Sequence, residues 1–137
     1  MEYRTDSPEE TEQLGARLAA RLRPGAVVAF TGDLGAGKTA FVRGMARGLG
    51  IRQRVTSPTF TSHAEYPGRL VLNHLDLYRL EEAAMLDGLG IEDMLTDTAA
   101  VTAVEWPEML EPMVGTSRLD VRIADAGEGR RSIELSA

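Results

Sequence analysis

The chain has 137 residues, of which 43% are hydrophobic and 26% charged, with a formal net charge of −6 at pH 7 and no cysteine. These values predict one globular domain spanning residues 1–137, and they exclude a disulfide framework and any zinc site built on thiolates. The acidic balance disfavours direct binding to DNA or RNA, because phosphate backbones are held mainly by Lys and Arg. No apolar run is long enough to cross a membrane, and the first ten residues, MEYRTDSPEE, are too polar for a signal peptide. We therefore expect a cytoplasmic protein without a membrane partner.

The N-terminal region predicts a helix. Ser7 is a suitable N-cap, Pro8 fits the first helical position, and Glu10 completes a capping box. The apolar face consists of three leucines spaced four residues apart: Leu14, Leu18 and Leu22. The pair Pro24-Gly25 is expected to end this helix.

A short buried strand is predicted over residues 26–30 (AVVAF), and it leads directly into a glycine-rich loop. A second helix is expected to begin near Lys38 and to end with Gly50 at its C-terminal cap. Its inward face consists of four apolar residues: Phe41, Val42, Met45 and Leu49.

Beyond residue 58 the pattern favours strands. Residues 59–66 and 69–75 flank Pro67-Gly68 and predict a β-hairpin. Residues 81–98 predict one or two short helices, and residues 99–104 predict another buried strand that ends on a glutamate.

Residues 119–135 predict an antiparallel C-terminal hairpin, because apolar residues alternate on both sides of Gly127-Glu128-Gly129. Strands mixed with helices predict an α/β fold. Specifically, we expect a single P-loop NTPase-like three-layer sandwich with a mixed β-sheet and this C-terminal antiparallel hairpin.

One segment matches the phosphate-binding pattern G-x-x-x-x-G-K-[ST]. Its glycines let backbone N–H groups turn inward around an anion, and the helix that follows adds the positive end of its dipole. Lys38, the single lysine of the chain, is expected to contact the β- and γ-phosphates of ATP, and the Thr39 hydroxyl to bind Mg²⁺. The predicted nucleotide-binding residues of this segment are Gly32, Asp33, Leu34, Gly35, Ala36, Gly37, Lys38, Thr39 and Ala40. The alternative is an ordinary glycine-rich turn between a strand and a helix, with a structural role only.

Adenine is the favoured base. Guanine specificity in switch GTPases relies on an N/T-K-x-D motif, and the only lysine of this chain is already used on the phosphates.

Two carboxylates end predicted strands: Asp76 follows residues 70–75, and Glu105 follows residues 99–104. P-loop enzymes need a carboxylate at such a position to hold the metal and its waters. We therefore predict Asp76 and Glu105, together with Lys38, as catalytic residues, and Thr39, Asp76 and Glu105 as metal ligands. Each carboxylate could instead be a solvated group, and its role as direct ligand, ligand through water, or water-positioning base stays open at this point.

Three further residues near these strand ends are ambiguous. Trp106, the only tryptophan, follows Glu105 and is either an aromatic beside the nucleotide or a core residue. His74 is either a packed strand histidine or a site residue. Arg79 either pairs with a local carboxylate or supplies charge to the site.

Four segments resemble, in order and spacing, the TsaE family of small bacterial ATPases. They are residues 32–39, residues 57–60 (SPTF), residues 74–79 (HLDLYR) and residues 105–108 (EWPE). Members of this family help to make N6-threonylcarbamoyladenosine in tRNA, at the adenosine beside the anticodon. The resemblance implies slow hydrolysis of ATP with Mg²⁺ as cofactor. It also implies TsaB- and TsaD-like partner proteins, and it implies that the chain contacts tRNA only indirectly, through these partners.

The resemblance also implies residue roles. Thr39 corresponds to the Mg²⁺ ligand of the P-loop, and Asp76 and Glu105 to two essential carboxylates. Residues 57–60 correspond to a switch-like loop, and Trp106 to the aromatic beside the nucleotide.

Two other functions compete with this one. The first is a small-molecule kinase with a P-loop, although 137 residues leave little room for an acceptor site and a lid. The second is a nucleotide-gated binding module without hydrolysis, and the two carboxylates disfavour it. Because no arginine of this sequence is an obvious finger for the γ-phosphate, we expect an ATPase that is slow alone and stimulated by partners.

Overall fold

The computed structural model describes residues 1–32, 37–55, 63–76, 97–105 and 118–136, and only the backbone of His63 and Asp76. In this part of the chain, seven strands form one mixed sheet and two helices pack on it. The α/β class and the mixed sheet expected from the sequence are confirmed. The helices predicted over residues 81–98 lie outside the described residues as far as residue 96, and residues 98–99 form a turn. A third layer of the sandwich is therefore not described.

The sheet has the strand order β1-β7-β6-β2-β5-β4-β3. The strands are β1 (Glu2–Thr5), β2 (Val27–Thr31), β3 (His63–Tyr66), β4 (Val71–Asp76), β5 (Ala100–Glu105), β6 (Leu119–Gly127) and β7 (Arg130–Ser136). The four neighbouring strands β6, β2, β5 and β4 are parallel, whereas β3 runs antiparallel to β4 and β7 runs antiparallel to both β6 and β1. All four parallel strands therefore end at the same edge of the sheet.

Helix α1 (Pro8–Ala19) begins as its sequence predicts, with one difference in the cap. Ser7 Oγ accepts a hydrogen bond from the Glu10 N–H at 3.2 Å. The Glu10 carboxylate, however, accepts from the N–H of Asp6 at 2.7 Å and not from that of Ser7. The reciprocal bond of the capping box is thus displaced by one residue.

The predicted end of α1 at Pro24-Gly25 is wrong, because the helix stops at Ala19. After that residue the backbone bonds span three residues, with Leu22 N–H donating to Ala19 O at 3.2 Å. This tighter turn still brings Leu22 against the core, so the predicted apolar face is correct although the helix is shorter.

Helix α2 (Lys38–Gly48) ends as predicted, with Gly50 in the left-handed conformation at φ 76°. Gly50 N–H donates to Arg47 O at 3.1 Å and Ile51 N–H donates to Ala46 O at 3.0 Å. This pair of bonds is the Schellman ending, which satisfies the last carbonyls of a helix.

The two helices touch backbone to backbone. A Cβ atom added to Gly44 would lie 1.9 Å from the carbonyl oxygen of Glu12, and one added to Gly15 would lie 2.3 Å from that of Phe41. On the sheet side, the rings of Phe30 and Phe41 meet edge to face with centroids 5.4 Å apart. These contacts fix α2, and with it the start of α2, relative to the end of β2.

Strand β1 was not predicted. It has only four residues and lies at the edge of the sheet, where it pairs with β7 at the other end of the chain. The strand forms because of that long-range pairing, and a local pattern of four residues does not predict it.

The core lies between α1, α2 and the sheet, and every residue of β5 is buried. The predicted hairpin around Pro67-Gly68 is confirmed by the antiparallel pairing of β3 with β4, although residues 59–62 lie outside the described residues. Neither α1 nor α2, the described helices, combines the length and apolar character that a membrane span requires.

Candidate functional site

The motifs named from the sequence meet at the carboxyl edge of the parallel strands. Strand β2 ends at Thr31 and continues into Gly32, β5 ends at Glu105, and β4 ends at Asp76. In the register of the sheet, Glu105 lies between Phe30 on one side and Asp76 on the other. Open α/β sheets bind ligands at this edge, just outside the ends of their parallel strands.

The N-terminus of α2 opens towards this edge without a cap from a side chain. Its first internal bond runs from Phe41 N–H to Gly37 O at 3.1 Å, so the preceding amides have no acceptor within the helix. No acidic residue lies in the first turn. With the helix dipole added, this end of α2 suits an anion.

Both described ends of the glycine-rich loop adopt conformations that favour glycine. The φ angle is 143° at Gly32 and 106° at Gly37, values that side chains of L residues disfavour. The intervening predicted residues, Asp33, Leu34, Gly35 and Ala36, lie outside the described residues.

Lys38 connects the two ends of this loop. Its side chain is buried, and Nζ donates a hydrogen bond to Gly32 O at 2.8 Å. A buried ammonium is stable only when its hydrogen-bonding capacity is met, and the backbone carbonyl supplies part of that need. The neighbouring predicted residues Thr39 and Ala40 are half-buried in the first turn of α2.

Glu105 is also buried, and its partner is His74. The Nε2 atom of His74 lies 2.5 Å from Oε2 of Glu105, within hydrogen-bond distance, and the His74 side chain is fully buried. The imidazole is packed inside the sheet, as the interpretation of a packed strand histidine expects, and it also contacts a predicted catalytic carboxylate.

The remaining predicted site residues are described in part or not at all. The backbone of Asp76 lies beside Glu105 at the end of the neighbouring strand, but its side chain is outside the description. Trp106, Arg79 and the SPTF segment at residues 57–60 also lie outside the described residues.

Arg131 is a neighbour of the loop that the sequence analysis did not single out. A Cβ atom added to Gly37 would lie 3.5 Å from Arg131 Nε. The guanidinium is also engaged within its own hairpin, since Nη1 donates to the carbonyl of Arg130 at 2.9 Å and lies 3.4 Å from a carboxylate oxygen of Asp125. Strand β7 begins at the carboxyl edge because it runs antiparallel to β6. The position of Arg131 near the loop therefore follows only from the strand order.

The chemistry of these groups fits a nucleotide with Mg²⁺. An ammonium and an uncapped helix end suit phosphate oxygens, while a hydroxyl and a carboxylate are oxygen donors of the kind that Mg²⁺ prefers. Within the described ranges, no group of three or more His, Cys, Asp or Glu residues could hold a metal. Mg²⁺ commonly takes only one or two carboxylates, with water and phosphate completing its shell.

Comparison with known proteins identifies the family. The model of the family "Threonylcarbamoyl adenosine biosynthesis protein TsaE" matches residues 5–133. A Bacillus subtilis protein named tRNA threonylcarbamoyladenosine biosynthesis protein TsaE is 41% identical, and the match covers 100% of this chain and 85% of the relative. The protein of the same name from Treponema pallidum is 36% identical, with coverage of 95% and 96%. The crystal structure of Bacillus subtilis YdiB superposes with a TM-score of 0.86 at 38% identity, covering 100% of this chain and 84% of that one.

Proposed function

Because the chain belongs to the TsaE family, we propose that it acts in the biosynthesis of threonylcarbamoyladenosine in tRNA as a P-loop ATPase. In this proposal residues 1–137 form a single cytoplasmic ATPase domain, which reaches tRNA only through partner proteins. Water, and not a metabolite, accepts the γ-phosphoryl group.

The observation that carries the proposal is the meeting of opposite charges at one edge of the sheet. Lys38 and the uncapped start of α2 provide positive potential, and Glu105 provides a buried carboxylate at the end of the adjacent strand. P-loop enzymes use this combination to bind phosphates and to direct a metal and a water molecule at the γ-phosphate.

Each residue then has a role. Lys38 and the amides of the loop bind the β- and γ-phosphates, and Thr39 contributes its hydroxyl to Mg²⁺. When bound with ATP, Mg²⁺ neutralises charge on the transferring phosphoryl group. Glu105 and Asp76 have two different roles: one holds the metal or its waters, and the other orients the attacking water.

The base is proposed to be adenine, with Trp106 beside the nucleotide. Calorimetry should show ADP or ATP binding more tightly than GDP or GTP, and emission from the only tryptophan should change on addition of ADP. Tighter binding of guanine nucleotides would contradict the choice of base. An unchanged emission, under conditions where calorimetry detects binding, would remove Trp106 from the site.

Partners are proposed to complete the active site. An arginine that stabilises the transferring phosphoryl group is worth about 10³–10⁵ in rate, and Arg131, the arginine beside Gly37, is held by Asp125 and Arg130 of its own hairpin. We therefore expect slow hydrolysis alone and faster hydrolysis with TsaB- and TsaD-like proteins.

The test is phosphate release by the purified chain, alone and with these partners, followed by a search for phosphorylated metabolites. Stimulated release of inorganic phosphate supports the proposal. ATP-dependent phosphorylation of a metabolite would instead identify a kinase, and binding of partners without any hydrolysis would identify a nucleotide-gated binding module.

A further inference from the structure

His74 and Glu105 form a buried pair on one face of the sheet. Their side chains are 0% and 4% exposed, and they lie on the neighbouring parallel strands β4 and β5. In the register, His74 is opposite Ala103, two residues before Glu105, so the imidazole reaches the carboxylate diagonally. The contact joins residues 31 positions apart in sequence because β4 lies next to β5 in the sheet.

The direction of the hydrogen bond follows from its acceptor. When Glu105 is ionised its oxygens only accept, so Nε2 of His74 then carries a proton and its N–H donates a hydrogen bond to Oε2 of Glu105. The other ring nitrogen, Nδ1, is buried and has no hydrogen-bond partner in the described part of the chain. Glu105 is thus the single polar group that orients this imidazole among the residues described.

We propose that His74 is a positioning residue for Glu105. A glutamate side chain has several rotatable bonds, and a hydrogen bond to one oxygen selects one arrangement of them. With Oε2 engaged by His74, Oε1 is the oxygen left for a metal, its waters or the attacking water. The inference rests on the proposed function, because it assigns His74 an effect on catalysis that acts through Glu105.

A merely structural role for His74 has a different consequence. Any donor that compensates a buried carboxylate stabilises the fold, and its loss destabilises it, whatever Glu105 does in catalysis. The two roles are separated by measuring turnover and the free energy of unfolding in the same variants.

The sharpest variants are two amides of different reach. In His74→Gln the amide nitrogen can occupy the place of Nε2 and donate to Glu105, whereas in His74→Asn the shorter side chain cannot reach it. Leu72→Val is the matched control, because Leu72 is fully buried on the same strand and belongs to the hydrophobic core.

We expect His74→Asn to lower kcat for phosphate release, measured with partners, by about tenfold to hundredfold, the range seen when a partner of a ligating side chain is removed. Its affinity for ADP should stay within about threefold, because the phosphate-binding loop is intact. His74→Gln should keep most of the activity, and Leu72→Val should lower the melting temperature while keeping kcat. Equal turnover of the Asn and Gln variants would overturn the proposal, as would a loss of ADP affinity that parallels the loss of kcat.

A double-mutant cycle with Glu105→Gln tests the dependence on Glu105 directly. If His74 acts through Glu105, His74→Asn should lower kcat no further once Glu105 is replaced. Independent, multiplicative losses would contradict the positioning role. If Glu105→Gln itself hydrolyses ATP at the wild-type rate, the proposed function of Glu105 fails, and with it the inference. A defect in Glu105→Gln without one in His74→Asn refutes the inference alone.

Nuclear magnetic resonance provides a readout that needs neither nucleotide nor activity. The chain has two histidines, so the ring nitrogens of His74 are readily assigned by comparison with His74→Gln. The proposal requires the tautomer with the proton on Nε2 in the free protein. Observation of the proton on Nδ1 and an unprotonated Nε2 would overturn it.

Discussion

We call the strands β2, β4 and β5 the parallel half of the sheet and the hairpin of β6 and β7 the antiparallel half, although β6 also pairs in parallel with β2. The two halves treat charge differently. At the ends of β2, β4 and β5 the ionisable side chains of Lys38, His74 and Glu105 are buried and hydrogen-bonded. In the described ion pairs around β6 and β7 the carboxylate side chains are 41% to 83% exposed, and in the pair of Arg130 with Glu128 both side chains are exposed, at 57% and 83%.

The difference supports the proposed site at the carboxyl edge. Burying a charged group costs several kcal/mol unless partners compensate it, whereas an exposed pair contributes roughly 0–1 kcal/mol. We propose that the ionisable groups in the interior at one edge of the sheet, beside an uncapped helix end, are retained there because a ligand of complementary charge binds to them. The surface pairs of the hairpin require no such explanation.

The largest expected effect on stability concerns the close contact between the two helices. Gly44→Ala places a methyl group against the Glu12 carbonyl, so we expect a loss of about 3 kcal/mol in the free energy of unfolding. Gly127→Ala is the counterpart in the antiparallel half. It meets no atom within 4 Å and should lose about 1 kcal/mol, from its positive φ alone. Denaturant unfolding measures both variants, and equal losses would show that the close approach of the helices is not needed.

The next effect concerns nucleotide affinity. Lys38→Ala removes a charge-assisted phosphate contact and should weaken ADP binding by about 1.5–3 kcal/mol, a tenfold to hundredfold loss. Arg130→Ala, which removes an exposed cation from the other half, should change the affinity less than about twofold. Calorimetry compares the two variants. Wild-type affinity in Lys38→Ala would mean that phosphates bind elsewhere.

The smallest effect is expected for the exposed pair itself. Glu128→Ala and Arg130→Ala, alone and combined, should give a coupling energy below about 0.5 kcal/mol in denaturant unfolding. The side chains lie in water and their attraction is screened by salt. A coupling of 2 kcal/mol or more, far above the usual range for exposed pairs, would contradict the contrast between the two halves.

Local signals in the sequence predict local features well. The start of α1 follows from Ser7 and Pro8, and the end of α2 follows from Gly50, because caps depend on neighbouring residues. The glycine-rich loop is likewise predicted from a local pattern, and its described ends, Gly32 and Gly37, have the positive φ angles that favour glycine. The end of α1 was missed because a tighter turn after Ala19 continues the same apolar face.

Features that depend on strand order could not be predicted from the sequence. Strand β1 exists because β7 pairs with it, and Arg131 lies beside Gly37 because β7 returns to the carboxyl edge of the sheet. The hydrogen bond between His74 and Glu105 likewise requires β4 to lie next to β5 in a given register. Composition and periodicity carry no information on such pairings.

The central claim is that the buried ionisable side chains at the carboxyl edge form the site of ATP hydrolysis. It is tested most directly by the rate of phosphate release from saturating ATP, with TsaB- and TsaD-like partners present, in Glu105→Gln and in Glu128→Gln. Both changes remove one negative charge, from a buried position in the first variant and from an exposed one in the second. We predict a loss on the order of a hundredfold in Glu105→Gln and a rate within about twofold of wild type in Glu128→Gln. A wild-type rate in Glu105→Gln, or equal losses in both variants, would contradict the claim.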